Sequence, residues 1–242
     1  MFRTPKNDPL CNKCSLSTGK AVHSYSNVPF NKVLLCIYSE YPSIIEESTG
    51  LSLFSDEKRK NGGWFLRKVI EEVFDKDDSF PIELKPFNKY ILYGNVIRCN
   101  PTDPKGDKKN IKKSDRKSCS NWTKLDLTEI RSTIPIILAG SEAYKMFFDD
   151  KGGGIKENRG KILQCPQFSK KNPIIVTVNP VIGSHCLKGE ILSYTKKRDG
   201  TELPKEVIYP FKYELFDPIY FIIKDFEIAK KYLLEQFQKK MK

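Results

Sequence analysis

Four stretches of the chain are nearly continuous in apolar residues and bounded by turn formers: KVLLCIYSE (32–40), KYILYGNVIRCNP (89–101), the start of IPIILAGSEAYKMFF (134–148) and NPIIVTVNPVIGSH (172–185). Apolar runs this short read as buried strands. Between them the apolar residues recur at helical spacing. NGGWFLRKVIEEVF (61–74) follows two glycines, SNWTKLDLTEIRST (120–133) and the second half of 134–148 are also helical, and KDFEIAKKYLLEQFQKK (224–240) is strongly amphipathic. Buried strands alternating with helices predict an α/β fold, a three-layer α/β/α sandwich around a central, mostly parallel sheet. In such sheets ligands bind at the carboxyl ends of the strands. That directs attention to 39–50, 95–119 and 177–186. No repeat or linker divides the 242 residues, so a single domain over 1–242 is expected, with 188–222 as an insertion before the last helix.

The polar pattern changes the picture in one place. TDPKGDKKNIKKSDRKS (102–118) is turn-rich, poor in apolar residues and densely basic, and it reads as an exposed loop. The whole chain carries a formal net charge of +12. Nucleic acid, double- or single-stranded, is the expected partner, with Lys105, Lys108, Lys109, Lys112, Lys113, Arg116 and Lys117 as the phosphate-facing residues. The bland alternative is a lysine-rich solvated surface. No apolar run approaches the ~20 residues of a membrane span, and MFRTPKNDPL lacks the apolar core of a signal peptide. An intracellular, cytoplasmic monomer is therefore expected.

Seven cysteines in a reducing compartment point to metal ligation and buried thiols in place of disulfides. Cys11 and Cys14 have the C-x2-C spacing of a metal grip, and Cys99 and Cys119 flank the basic loop. Four such sulfurs suit zinc or an iron–sulfur cluster, and spacing does not choose between them. Cys36, Cys165 and Cys186 are expected to take no part.

The order of these features resembles that of the iron–sulfur uracil-DNA glycosylases, family 4 of the uracil-DNA glycosylase superfamily, over roughly residues 11 to 186. CNKCSL matches the family's C-x2-C-x-L, and YSEYPSIIEESTGLSLF matches the strand leading into G-E-x-P-G and the Gly-x-Pro-Phe turn. YGNVIRCNP matches T-N-x-x-K-C-x-P, ILAGSEAYKMF matches L-G-x-x-A, Arg159-Gly160 matches an Arg-Gly pair and TVNPV matches T-x-H-P-S. The resemblance implies a [4Fe-4S] cluster on Cys11, Cys14, Cys99 and Cys119, with a structural role. It implies hydrolysis of the N-glycosidic bond of a flipped-out pyrimidine, leaving an abasic site. Glu40 would be the catalytic carboxylate acting on the sugar and its attacking water, Asn95 the amide reading the base edge, and Asn179 a donor to the leaving oxygen. Glu46 matches a nearby acidic substrate-binding position, and Tyr41 and Leu53 would shape the pocket.

The chain also departs from the family. Ser39 and Ser43 stand for the two motif glycines, Leu53 for the stacking Phe and Asn179 for the histidine, although one branch of the superfamily has Asn-Pro there. The expectation is an enzyme acting on uracil or on a modified pyrimidine such as viruses place in their DNA, which would suit antiviral defence. The alternatives are a catalytically silent glycosylase fold kept for DNA binding or assembly, and a zinc-stabilised nucleic-acid-binding protein of unrelated fold.

Overall fold

The computed structural model describes residues 11, 14–16, 20–102, 109–149, 153–187 and 218–241. Three parallel strands come first: β1 (Leu35–Ser39), β2 (Ile91–Asn95) and β3 (Ile136–Ala139). A longer β5 (Ser169–Thr177) pairs parallel with β3, and β4 (Ile162–Cys165) pairs antiparallel on its outer side. The order is β2-β1-β3-β5-β4. All residues of β1, β2 and β3 are buried, as expected of parallel strands covered on both faces.

Alternation along the strands builds two cores. Leu35, Ile37, Ile91, Tyr93, Ile137 and Ile175 face α2 (Gly62–Ile70) and the C-terminal helix, which packs through Ile222, Phe226 and Leu233. Cys36, Tyr38, Leu92, Ile136, Leu138 and Ile174 face α3 (Lys113–Glu129) and α4 (Ser141–Phe148). The result is the expected α/β/α sandwich. The helices α1 (Ile44–Thr49), α5 (Gly154–Asn158) and α6 (Pro180–Leu187) add to those expected from the sequence, and the C-terminal helix, α7, spans Pro218–Met241. Residues 188–217 of the expected insertion lie outside the described residues, and 218–222 belong to α7. Among the described residues, no helix is long and apolar enough to cross a membrane.

The basic segment is shorter than its composition suggests. Helix α3 starts at Lys113, because the Asp115 carboxylate accepts from the Lys112 backbone N–H at 2.9 Å and closes the helix start. Cys119 therefore lies within a helix.

Helix α7 is clipped to the sheet by Arg159. Its guanidinium donates to both Asp225 oxygens at 3.2 and 3.3 Å and to the Phe221 carbonyl at 3.2 Å, and lies 3.8 Å from the Phe221 ring centre. Burial pushes the Asp225 carboxyl up from 3.8 to about 6, and Arg159 draws it partly back. An acid raised in the folded state costs stability as pH climbs through the interval between its unfolded and folded values. Wild-type stability minus that of Asp225→Asn should therefore fall between about pH 4 and pH 6 by up to ~3 kcal/mol and then level off. Urea unfolding of both proteins across that range checks this, and a pH-independent difference contradicts it.

Candidate active site

Strand order alone marks one place for a ligand. The chain leaves β1 for β2 on one side and returns to β3 on the other, so β1 and β3 are neighbours whose following segments diverge. The crevice between their carboxyl ends is a topological switch point, where open α/β sheets bind ligands. Glu40, the residue after β1, stands there.

Two separate elements hold the Glu40 carboxylate. Oε1 accepts from the Ser141 hydroxyl at 2.9 Å and from the Glu142 backbone N–H at 3.1 Å, both in the first turn of α4. Oε2 accepts from Asn179 Nδ2 at 2.8 Å. An anion at a helix N-terminus gains from the unpaired N–H groups and the dipole there. The approach depends on Gly140. Its φ of 105° lies where side chains are rarely tolerated, and a Cβ there would sit 2.6 Å from Glu40 Cγ and Cδ. The Glu40 backbone is also fixed, because its carbonyl accepts from Ile97 N–H at 2.9 Å.

Asn179 begins α6. Its Oδ1 accepts from Val181 N–H at 3.0 Å, while its Nδ2 serves Glu40. The resemblance implied an amide directed at a leaving group; in the structure its Nδ2 donates to the Glu40 carboxylate. The start of α6 packs closely on that of α2, since a Cβ on Gly62 would lie 2.9 Å from Val181 Cγ2.

The second half of the site surrounds Asn95, at the end of β2 and fully buried. Its Nδ2 donates to Glu46 Oε1 at 2.9 Å, and its Oδ1 is buried without a hydrogen-bond partner. Glu46, 7% exposed, also accepts from Leu53 N–H at 2.5 Å, and from the Ser43 N–H and hydroxyl at 2.8 Å each. Glu46 thereby ties α1, the turn at 53 and β2 together. Tyr41 is half-buried against the α3 and α4 core.

Leu53, expected to shape the pocket, is buried. It adopts φ 51° and packs in the core beside Phe65. Its backbone N–H is what meets Glu46. The neighbouring Phe54 is half-buried and belongs to neither core. It stands one residue beyond the position that the resemblance pointed to. Gly63 permits the turn to sit on α2, since a Cβ there would meet the Phe54 and Leu53 carbonyl oxygens at 2.2 and 2.4 Å.

The four cysteines share one neighbourhood. Burial pushes the thiols of Cys14 and Cys99 up to about 12; Cys14 feels the charge of Cys119, and Cys99 feels those of Cys119, Cys14 and Cys11. Burial likewise raises Cys119, which also feels Cys11. Buried Asp115 anchors the N-terminal segment, accepting from the Cys14 thiol at 3.3 Å and from the Ser15 N–H and hydroxyl at 2.9 Å each. Beneath Cys119, the buried Arg98 guanidinium pairs with Asp126, which also accepts from Ser24 and Tyr38. Removing one partner of such a buried pair typically costs ~3–5 kcal/mol. No three His, Cys, Asp or Glu side chains among the described residues are drawn into metal-ligating geometry. The donor set still suits a metal: four cysteines, two of them buried, with a buried cation behind them. Cys36 is enclosed in β1, and the Cys165 thiol donates to the Phe147 carbonyl at 3.0 Å. The Cys186 side chain lies outside the described residues.

Of the basic residues, Lys109, Lys112, Lys113 and Lys117 are exposed, and Lys105 and Lys108 lie outside the described residues. Arg116 differs from expectation. It is on the inner face of α3, one turn before Cys119, and pairs with Glu142 at 2.8 Å. Helix formation from Lys113 onward is what turns it inward.

Of the residues missed in the sequence, Gly140, Ser141 and Asp115 carry the most geometry. The Gly-Ser junction after an apolar run was the available signal for the first two. No family model matches the chain, and no curated protein matches it closely enough to count as a relative.

Proposed function

We propose that the protein is a DNA glycosylase, hydrolysing the N-glycosidic bond of a pyrimidine turned out of the DNA stack, either uracil or a modified pyrimidine. The observation that carries this reading is the pair of polar groups at one sheet edge. Glu40 is a carboxylate fixed on both oxygens, and Asn95 is a buried amide with an acceptor to spare. Base removal passes through a cationic sugar, and a fixed carboxylate can stabilise that charge and orient the attacking water. Among the described residues Oε2 has a single donor, which leaves it room to accept from water. Asn95 reads the base edge, and Phe54 offers a face for stacking. Extruding the base is the general requirement for chemistry on it.

Cys11, Cys14, Cys99 and Cys119 would hold a [4Fe-4S] cluster, or zinc on the same sulfurs. Either would serve structurally, pinning the N-terminal segment to β2 and α3.

The test is to incubate the purified protein with duplex and single-stranded DNAs carrying uracil, 5-hydroxymethyluracil or other modified pyrimidines, and to cleave abasic sites with alkali. Strand cleavage with at least one base is expected. None with any base would leave a silent DNA-binding module as the better account.

The exposed lysines supply the DNA-binding surface on this reading. Reversing Lys109, Lys112, Lys113 and Lys117 to Glu should weaken binding to all sequences alike. It should also flatten the dependence of log affinity on log salt by ~0.9 for each phosphate no longer neutralised. Fluorescence anisotropy over a salt series reads both effects. The Arg116→Gln variant should instead lose stability, because Arg116 serves Glu142.

A further inference from the structure

We infer that Arg67, Tyr25 and Tyr93 form a binding site for a small oxyanion, a phosphate or carboxylate, at the outer edge of β2. Three elements bring them together. Arg67 comes from α2 and Tyr93 from the middle of β2. Tyr25 comes from the segment beside β2, and its N–H and carbonyl are bonded to those of Tyr93 at 2.9 Å each. The Arg67 guanidinium lies over the Tyr93 ring, 3.5 Å from its centre, and its Nη2 donates to the Tyr25 hydroxyl at 2.8 Å. The Tyr93 hydroxyl, on the rim of that ring, is therefore within a few ångströms of the guanidinium.

The cluster lacks an acceptor among the described residues. Arg67 Nη1 and the Tyr93 hydroxyl are buried with no hydrogen-bond partner, and Tyr93 is 1% exposed. The Tyr25 hydroxyl accepts from Arg67, which leaves its own hydrogen to give. Burial raises both phenols, so they stay protonated and act as donors. The acids whose charge reaches them are engaged elsewhere: Asp75 accepts from Phe87 N–H at 2.7 Å, and Glu46 accepts from Ser43, Leu53 and Asn95. Stacking on a ring favours a guanidinium but accepts none of its hydrogens directly. Buried donors left without acceptors are costly and uncommon. Three of them gathered around one cation suit an oxyanion, which guanidinium and hydroxyl groups hold by charge-assisted hydrogen bonds. Arg67 and Tyr25 are only half-buried, which gives an anion a way in from that flank. Two carriers fit this chemistry: a free anion, or a backbone phosphate of bound DNA.

The test titrates inorganic phosphate, and separately acetate, into the full chain by calorimetry at fixed ionic strength, beside Tyr93→Phe and Arg67→Met. Each variant keeps the apolar bulk and removes a donor. At least one anion should bind wild-type protein, ~10-fold more weakly to Tyr93→Phe and ~10- to 100-fold more weakly to Arg67→Met, the range for a lost neutral and a lost charged hydrogen bond. Before any addition, Tyr93→Phe should unfold at a temperature no lower than wild type, because the hydroxyl it removes has no partner. The anion that binds should then raise the Tm of wild-type protein and not that of Arg67→Met. Anisotropy with duplex DNA tells the carriers apart. A backbone phosphate predicts that Arg67→Met weakens binding to all sequences alike and flattens the salt dependence by ~0.9. A free anion predicts unchanged DNA affinity. Binding of neither anion by wild-type protein, or equal binding by all three proteins, overturns the site. So does a lower Tm for anion-free Tyr93→Phe, which would mean that the hydroxyl is already satisfied. The Tyr93→Phe comparison decides the matter even if Arg67→Met fails to fold.

Discussion

Glu40→Gln should reduce base release by ~10²–10³ while DNA affinity stays within about twofold, because a fixed charge aimed at a developing charge acts mainly in the transition state. Gln keeps the size of the side chain and one acceptor oxygen. If Oε1 is kept as that oxygen, the bonds from Ser141 and Glu142 survive, while the new amide nitrogen faces Asn179 Nδ2, donor against donor. On the glycosylase reading, the negative charge that would face the sugar is lost outright. Gly140→Ala should reach a similar loss by a different route. The added methyl falls 2.6 Å from Glu40 Cγ, so the carboxylate must leave its place on α4. Single-turnover rates with saturating enzyme separate both effects from binding. A Glu40→Gln protein as fast as wild type would remove Glu40 from the chemistry.

Cys99→Ser is expected to abolish metal binding. Purified wild-type protein should be brown, with about four irons and matching acid-labile sulfide per chain, as a cubane cluster requires. The Ser variant should be colourless and markedly less stable, because the binding energy of a structural metal is folding energy. The large effect follows from the thiols themselves. Without a cation, burial holds Cys14 and Cys99 protonated, each up to about 12. On the metal-site reading, ligation would have to displace those protons. Cys36→Ser should keep the iron. One zinc per chain would retain the site and change its metal, and metal-free wild-type protein from an anaerobic preparation would end the proposal.

Much of the fold was legible because its central strands are buried on both faces. LCIYS, ILYGN and IILA are unbroken apolar or small runs, and all of their residues are buried. The start of α3 was hidden because its inner stripe is Asp115, Arg116, Cys119 and Thr123, polar or sulfur-bearing, so periodicity in apolar residues could not mark it. Helix α6 was hidden for the opposite reason: PVIGSHCL is apolar nearly throughout and carries a glycine. Strand β4 was missed because it is short and largely exposed. In the site, Glu40 and Asn95 were readable as polar residues abruptly ending apolar strands. The register of Leu53 and Phe54 was not, since a left-handed turn leaves no periodic trace. Nor could the sequence show that Asn179 and Glu46 serve other side chains, because such service depends on hydrogen bonds spanning 139 and 49 residues.

The three-way grip on Glu40 has a consequence for descendants of this chain. The carboxylate joins the end of β1 to the starts of α4 and α6, so on the glycosylase reading its loss would release those contacts as well as stop the reaction. A lineage that abandoned catalysis would still be selected to keep an acid at this position, for the sake of its own folding. Presence of Glu40 in a distant homologue is thus a poor sign of activity. Gly140 is subject to the same pressure, so the two should persist or vanish together.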